Sequence, residues 1–305
     1  MSFMTSHHIV VGIDFSHCSA NALKETVRLA GAKGAEVTAV HIIDEQSYAH
    51  LASKIQLTKA EVMKKGREEL ELWVVEQLGR PGPVKCEVLM GQPFLELVEA
   101  CYRHDADLLV LGTRGLTGSD DRTGVVAAKC VRKAPIRVML VRYHQEEPFS
   151  NIGAALDFSV TSKLVVREAT AIARQFGSRL HLVNVIRPVG EKLGELIALS
   201  KVIPPGGEPP WREEAEAGFR DIRQECAEDL EGLEVETHVT ESVSPSNGVI
   251  EFAKQHDIDL LVLASRGRTG LNVLLLGTTA EKVIGATPCS TLVIKPEGFK
   301  PPIGV

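Results

Sequence analysis

The 305-residue chain contains no apolar run of the ~18–20 residues that a membrane-spanning helix requires. Its opening, MSFMTSHHIVVGID, lacks a basic segment followed by an apolar core, so it does not read as a signal peptide, and the cytoplasm is the expected compartment. Positive charge is not in excess either. A formal net charge of −6 argues against a general nucleic-acid binder. No C-x-x-C spacing occurs among Cys18, Cys86, Cys101, Cys130, Cys226 and Cys289, so they read as free, mostly buried thiols. The histidines do not cluster with cysteines, and no metal ligands are assigned, His7 and His8 included. With 44% hydrophobic and 24% charged residues, the remainder is that of an ordinary globular protein. The length suits two domains of roughly 100–200 residues each.

What is present is a repeat. VVGIDFSHCSANALKETVRLAGAKGAEVTAVHIID resembles GAALDFSVTSKLVVREATAIARQFGSRLHLVNVIR, aligning Asp14-Phe15-Ser16 with Asp157-Phe158-Ser159. HDADLLVLGTRGLTG matches HDIDLLVLASRGRTG, and KCVRKAPIRVMLV matches KVIGATPCSTLVI, in the same order along both halves. The copies occupy 1–143 and 151–297, joined by a polar linker over 144–150 and followed by a tail, 298–305.

Each copy alternates strand and helix signals. In the first, HIVVGID, EVTAVHIID, VKCEVLM, DLLVLG and IRVMLV read as strands. ANALKETVRLAGAKG, TKAEVMKKGREELELWVVEQLG, PFLELVEACYRH and a last segment from about Gly124 to Arg132 read as helices. The alternation predicts an α/β fold of two Rossmann-like, doubly wound domains. Each is a five-stranded, mostly parallel sheet with helices on both faces. The second copy carries a longer crossover over 187–232, with a Pro/Gly-rich break at Pro204 to Pro210 and then an acidic helix. This reads as a loop and a solvated helix, the sharper alternative being a lid or partner surface carrying Trp211.

In open α/β sheets ligands bind beyond the carboxyl ends of the strands, where strand order reverses. With order 3-2-1-4-5, Asp14 and Asp157 at the end of the first strand should face the glycine-rich loops that follow the fourth, starting at Gly112 and Ala264. Glycines let backbone N–H groups approach phosphate oxygens, and a helix N-terminus favours an anion. Thr278 is placed to add a hydroxyl at such a terminus. A carboxylate such as Asp157 suits ribose hydroxyls or an adenine amine. The loop is not a Walker A motif, because no lysine precedes Thr278.

These residues resemble the universal stress protein family in its tandem form, over nearly the whole chain. The resemblance rests on D-F-S after the first strand, VHIID and LVNVI at the end of the second, and SRGRTGLNVLLLGTTAEKVIGATPCSTLVIKP. The ATP-binding branch of that family carries G-x2-G-x9-G-[ST] at this last place. Here Ala264 stands at the first glycine, Gly267 at the second, and Gly277-Thr278 close the pattern at the right spacing. By resemblance, Asp157 and Val185 would contact adenosine, while Ala264, Arg266, Gly267, Gly277, Thr278 and Thr279 would line ribose and phosphates. The methyl of Ala264 is harmless in extended backbone, but costs about 1–2 kcal/mol if φ must be positive.

The first copy departs further. It keeps Gly112 and Gly115, but its loop to Gly124 is one residue short, Val125 replaces the hydroxyl residue, and Asp120 and Asp121 add negative charge. One like-charge contact at ~4 Å and an effective dielectric near 20 is worth about 4 kcal/mol before screening. This half is expected not to bind ATP in the family manner, although Asp14 and Ile42 would suit a nucleoside.

The implied protein binds an adenine nucleotide (ATP, or AMP or ADP, with Mg2+ accompanying ATP) in its second half and regulates a stress response through an unidentified protein partner. The alternatives are a weak ATPase and a nucleotide-free interaction scaffold; no nucleophile–base pair is evident. The family's dimerisation through last strands implies that IRVMLV and CSTLVIKP pair within one chain as a pseudo-dimer, and a homodimer of whole chains is compatible. His181 and His256 fall outside the expected crevice.

Overall fold

The computed structural model describes residues 7–31, 34–52, 57–80, 82–115, 123–142, 148–187, 210–267, 276–296 and 298–299. The chain divides into two compact units, one built on Thr5–Glu146 with Ser290–Val305, the other on Glu147–Cys289.

The first unit opens with β1 (His8–Ile13), α1 (His17–Gly31), β2 (Glu36–Asp44), α2 (Glu45–Ala52) and α3 (Lys59–Leu78). It continues through β3 (Val84–Gly91), α4 (Pro93–Arg103), β4 (Leu108–Gly112), α5 (Val125–Lys133) and β5 (Arg137–Val141). The expected 3-2-1-4-5 order is observed, with all of these pairings parallel. The chain's last strand, β10 (Ser290–Ile294), pairs antiparallel with β5, setting Thr291 opposite Leu140 and Val293 opposite Val138. β1, β5 and β10 are buried along their whole length, as a sheet covered on both faces requires.

The second unit comprises β6 (Asn151–Ala155), α6 (Val160–Phe176), β7 (Arg179–Ile186), α7 (Pro210–Glu225), α8 (Ala227–Leu230), β8 (Val235–Glu241), α9 (Pro245–Gln255), β9 (Leu260–Ala264) and α10 (Thr278–Ala286). Its sheet runs β9-β6-β7-β8, all parallel.

Local chemistry places the ends. α3 starts in a capping box, with Glu61 N donating to Thr58 Oγ1 at 3.3 Å and Thr58 N to Glu61 Oε2 at 2.8 Å. It ends at Gly79, whose φ of 67° is the left-handed conformation that glycine adopts without cost. Proline at the first helical position starts α4 and α9. The acidic helix expected after the Pro/Gly-rich break is α7; it buries Ala215, Phe219 and Ile222 and packs on β7 and β8. The break at 204–209, Gly270, Asp120, Asp121, most of the linker and most of the tail lie outside the described residues. The short helix α2 was not anticipated, because EQSYAHLA shows no apolar stripe.

All six cysteines are free, four buried and two half-buried. Burial pushes Cys86 up to about 11 and Cys101 to about 12, which leaves these thiols protonated and unreactive. Among the described residues no helix is long and apolar enough to cross a membrane.

Candidate functional site

The aspartate that follows each first strand is held by the backbone immediately after it. Asp14 Oδ1 accepts from Ser16 N at 3.1 Å, and Asp157 Oδ1 accepts from Ser159 N at 3.0 Å. Ser162 Oγ adds a second bond to Asp157 Oδ1 at 3.1 Å. The turn forces the intervening phenylalanine left-handed, with φ of 61° at Phe15 and 56° at Phe158, a strained state for a bulky side chain. Aromatic packing holds it there. Phe15 stacks edge-on against Trp73 of α3, and Phe158 edge-on against Phe219 of α7, at 5.5 and 5.1 Å between ring centroids. The end of strand one is tied to strand two in both units, by His41 Nδ1 with Ile13 O at 2.8 Å and by Asn184 Nδ2 donating to Leu156 O at 2.8 Å.

The expected face-to-face arrangement is present. A Cβ built on Gly267 would lie 2.5 Å from Asp157 Oδ2, and one on Gly115 would lie 2.7 Å from Asp14 Oδ2. Each carboxylate therefore rests on the backbone of the glycine loop across from it. Neither Gly267 nor Gly277 has a left-handed backbone; glycine is needed at Gly267 for the close approach. The loop returns through Gly277 N, which donates to Ser265 O at 2.9 Å; Gly124 N does the same to Thr113 O at 2.8 Å. The first loop, although one residue shorter, closes at the equivalent carbonyl.

Ala264 is the last residue of β9, and positive φ at non-glycine residues is confined, among the described residues, to Phe15, Asp105, Phe158 and Asp257. Its methyl therefore carries no backbone penalty. Gly112, its counterpart, has a packing role of its own: a Cβ there would lie 2.7 Å from the backbone carbonyl carbon of Cys18 on α1. Thr278 and Thr279 form the exposed first positions of α10, whose N-cap, Gly277, provides no side-chain bond to the open N–H groups. Val125, the counterpart of Thr278, is 71% exposed at the start of α5. Burial lowers the pKa of Arg266, beside the loop. Val185 stands near the end of β7 and meets Gly248 of α9, while Ile42 is half-buried near the end of β2.

Sequence reading missed the residues that hold these groups. In the first unit Ser16 Oγ donates across the crevice to Arg114 O at 3.3 Å. In the second, the hydroxyls of Ser159 and Ser265 are buried without a hydrogen-bond partner among the described residues. The duplicated D-F-S was a signal for the serine, but its partner across the crevice has no sequence signature.

A doubly wound sheet with a carboxylate facing a glycine loop and a helix terminus defines a Rossmann-like α/β protein. The chain belongs to the Universal stress protein family, whose model matches residues 5–142 and 148–295. It is 25% identical over 316 residues to universal stress protein E of Photorhabdus laumondii, covering 97% of each chain. It is 26% identical over 309 residues to a universal stress protein of Mycolicibacterium smegmatis, covering 96% of this chain and 98% of the relative. Its fold matches a universal stress protein from Archaeoglobus fulgidus with a TM-score of 0.63 at 20% identity, over 96% of this chain and 97% of that one. A functionally unknown protein from Pseudomonas aeruginosa PAO1 matches with a TM-score of 0.65 at 18% identity, over 97% and 95%.

Proposed function

We propose that the second copy binds an adenine nucleotide, with ATP the leading candidate, and that the chain acts as a stress-response regulator through conformation or partners. The observation that carries this reading is the fixed Asp157 carboxylate resting on Gly267, beside an α10 terminus that has open N–H groups and two exposed threonines. Asp157 would accept a bond from ribose or the adenine amine. The N–H groups of Gly267 and of the first turn of α10 would donate to phosphate oxygens, with Thr278, Thr279 and Arg266 beside them. Buried hydroxyls at Ser159 and Ser265 add polar groups that a ligand would satisfy. Mg2+, if it accompanies ATP, would rest on phosphate oxygens and Asp157.

The first copy is proposed to be structural or to serve another task. Ser16 already bridges its crevice and Val125 occupies the helix terminus. The division of labour follows the copies at 1–143 and 151–297. β10 pairs antiparallel with β5, which satisfies that strand edge within the first unit.

Nucleotide extracted from purified protein, together with calorimetric titration of ATP, ADP and AMP, tests the proposal. About one nucleotide per chain is expected, lost in Asp157→Ala and retained in Asp14→Ala. Absence of bound nucleotide and of any thermal shift at millimolar ATP would favour a scaffold. Turnover that disappears in Asp157→Ala would favour an ATPase.

A further inference from the structure

The N-terminal half of the second unit's sheet carries a cluster that the nucleotide crevice, at the carboxyl ends of the same strands, does not use. His181 is the third residue of β7, His238 the fourth of β8, and His256 caps the C-terminus of α9. Their ligand atoms all lie within 4.8 Å of one another. His181 Nδ1 and His238 Nε2 are 3.2 Å apart, and Glu236 Oε2 is 3.6 Å from the first and 3.5 Å from the second. Those three donors make a nearly equilateral triangle. The edge of a tetrahedron around a metal with bonds of about 2.0–2.1 Å is about 3.3 Å, so one face of such a site is already drawn.

We propose that His181, His238, His256 and Glu236 bind a divalent transition metal of the zinc class. Three imidazoles and one carboxylate, without sulfur, are borderline donors that suit Zn2+ and Co2+ and do not suit Mg2+ or Ca2+. The other ring nitrogen of His181, Nε2, faces Asn151 Oδ1 at 3.5 Å, the outer hydrogen bond that orients a ligating imidazole. Phe252 lies against all three rings, at 4.4 Å from His256, 4.9 Å from His238 and 6.4 Å from His181 between centroids, and supplies an apolar wall. Bound metal would tie β7, β8 and the end of α9 together.

The first unit serves as an internal control. Strand registers put Thr38, Lys85 and Glu87 at the positions of His181, Glu236 and His238, and only His104 repeats the third histidine. There Lys85 pairs with Glu36 at 2.5 Å and His104 with Glu87 at 2.8 Å. An ammonium thus stands where the second unit offers a carboxylate.

The full-length, tag-free chain, stripped with a chelator, is titrated with Zn2+ against a chromophoric competitor, and retained metal is counted by mass spectrometry. About one tight zinc per chain is expected. His238→Gln and His256→Gln should each weaken binding by more than the roughly 10–100-fold that loss of an outer-shell partner costs a metal site, while His104→Gln leaves it unchanged. Co2+ should give the intense visible absorption of a four-coordinate site in the unaltered protein, a readout that survives if a variant fails to fold. No retained zinc, equal retention in the His181→Gln/His238→Gln double variant, or the pale spectrum of six-coordinate Co2+ would overturn the proposal and leave the trio as stacked core histidines. Nucleotide binding should persist in folded histidine variants, so the two sites are tested separately.

Discussion

A methyl group at Gly267 would meet Asp157 Oδ2, the oxygen opposite the one that Ser159 N and Ser162 Oγ hold, so the carboxylate can turn about its anchored oxygen. Gly267→Ala should therefore change thermal stability little but weaken nucleotide binding roughly tenfold, the worth of one charge-assisted hydrogen bond. Calorimetry on the folded variant checks both halves of that statement. Phe158 gives an unusual order of substitutions. Phe158→Ala keeps the left-handed backbone and loses the stack on Phe219, at a cost of about 3 kcal/mol. Phe158→Gly loses the same stack but relieves the positive φ, so chemical denaturation should show it about 1 kcal/mol more stable than the alanine variant.

His8 supplies a pH dependence. Burial, then His104, lowers its pKa; Glu36 and Asp107 oppose the shift and Lys85 adds to it. The folded state thus binds fewer protons than the unfolded chain. The stability this residue contributes is complete above the ordinary histidine value of about 6.5 and declines as pH falls below it. Between pH 7.5 and pH 5.5 the fall in melting temperature should be smaller in His8→Gln than in the unaltered protein.

At the scale of elements, Thr58→Ala removes both bonds that its hydroxyl makes with Glu61 in an exposed capping box and should cost about 1 kcal/mol by denaturant titration. The two loop–helix junctions make a sharper pair. Val125→Thr alone should not create a nucleotide site in the first unit. Replacing residues 116–125 with 268–278, which restores both length and hydroxyl, should raise nucleotide stoichiometry from one toward two. Much of this was legible beforehand. Strands and helices of the first copy were readable because their apolar periodicity is local, and the two loop–helix junctions because glycine spacing marks them. The clasp from Ser16 to Arg114 was not, nor the packing reason for Gly112, since both depend on groups that only the folded crossover brings together.

For the whole molecule, the last strand matters most. β10 is fully buried and pairs with β5, so a chain ending at Pro288 should expose the edge of β5. Faster amide exchange at Val138 and Leu140, with concentration-dependent association, is the expected result. The sequence by itself determined the duplication, the doubly wound order within the first unit, and the assignment of a glycine loop and an aspartate to one crevice. Each follows from short-range pattern or from a rule of sheet topology. The family resemblance already implied that β5 and β10 pair; only the tertiary structure decided the register of that pairing and that His181, His238 and His256 converge. Pairing across a sheet depends on register between segments far apart in the chain, and no local periodicity records it.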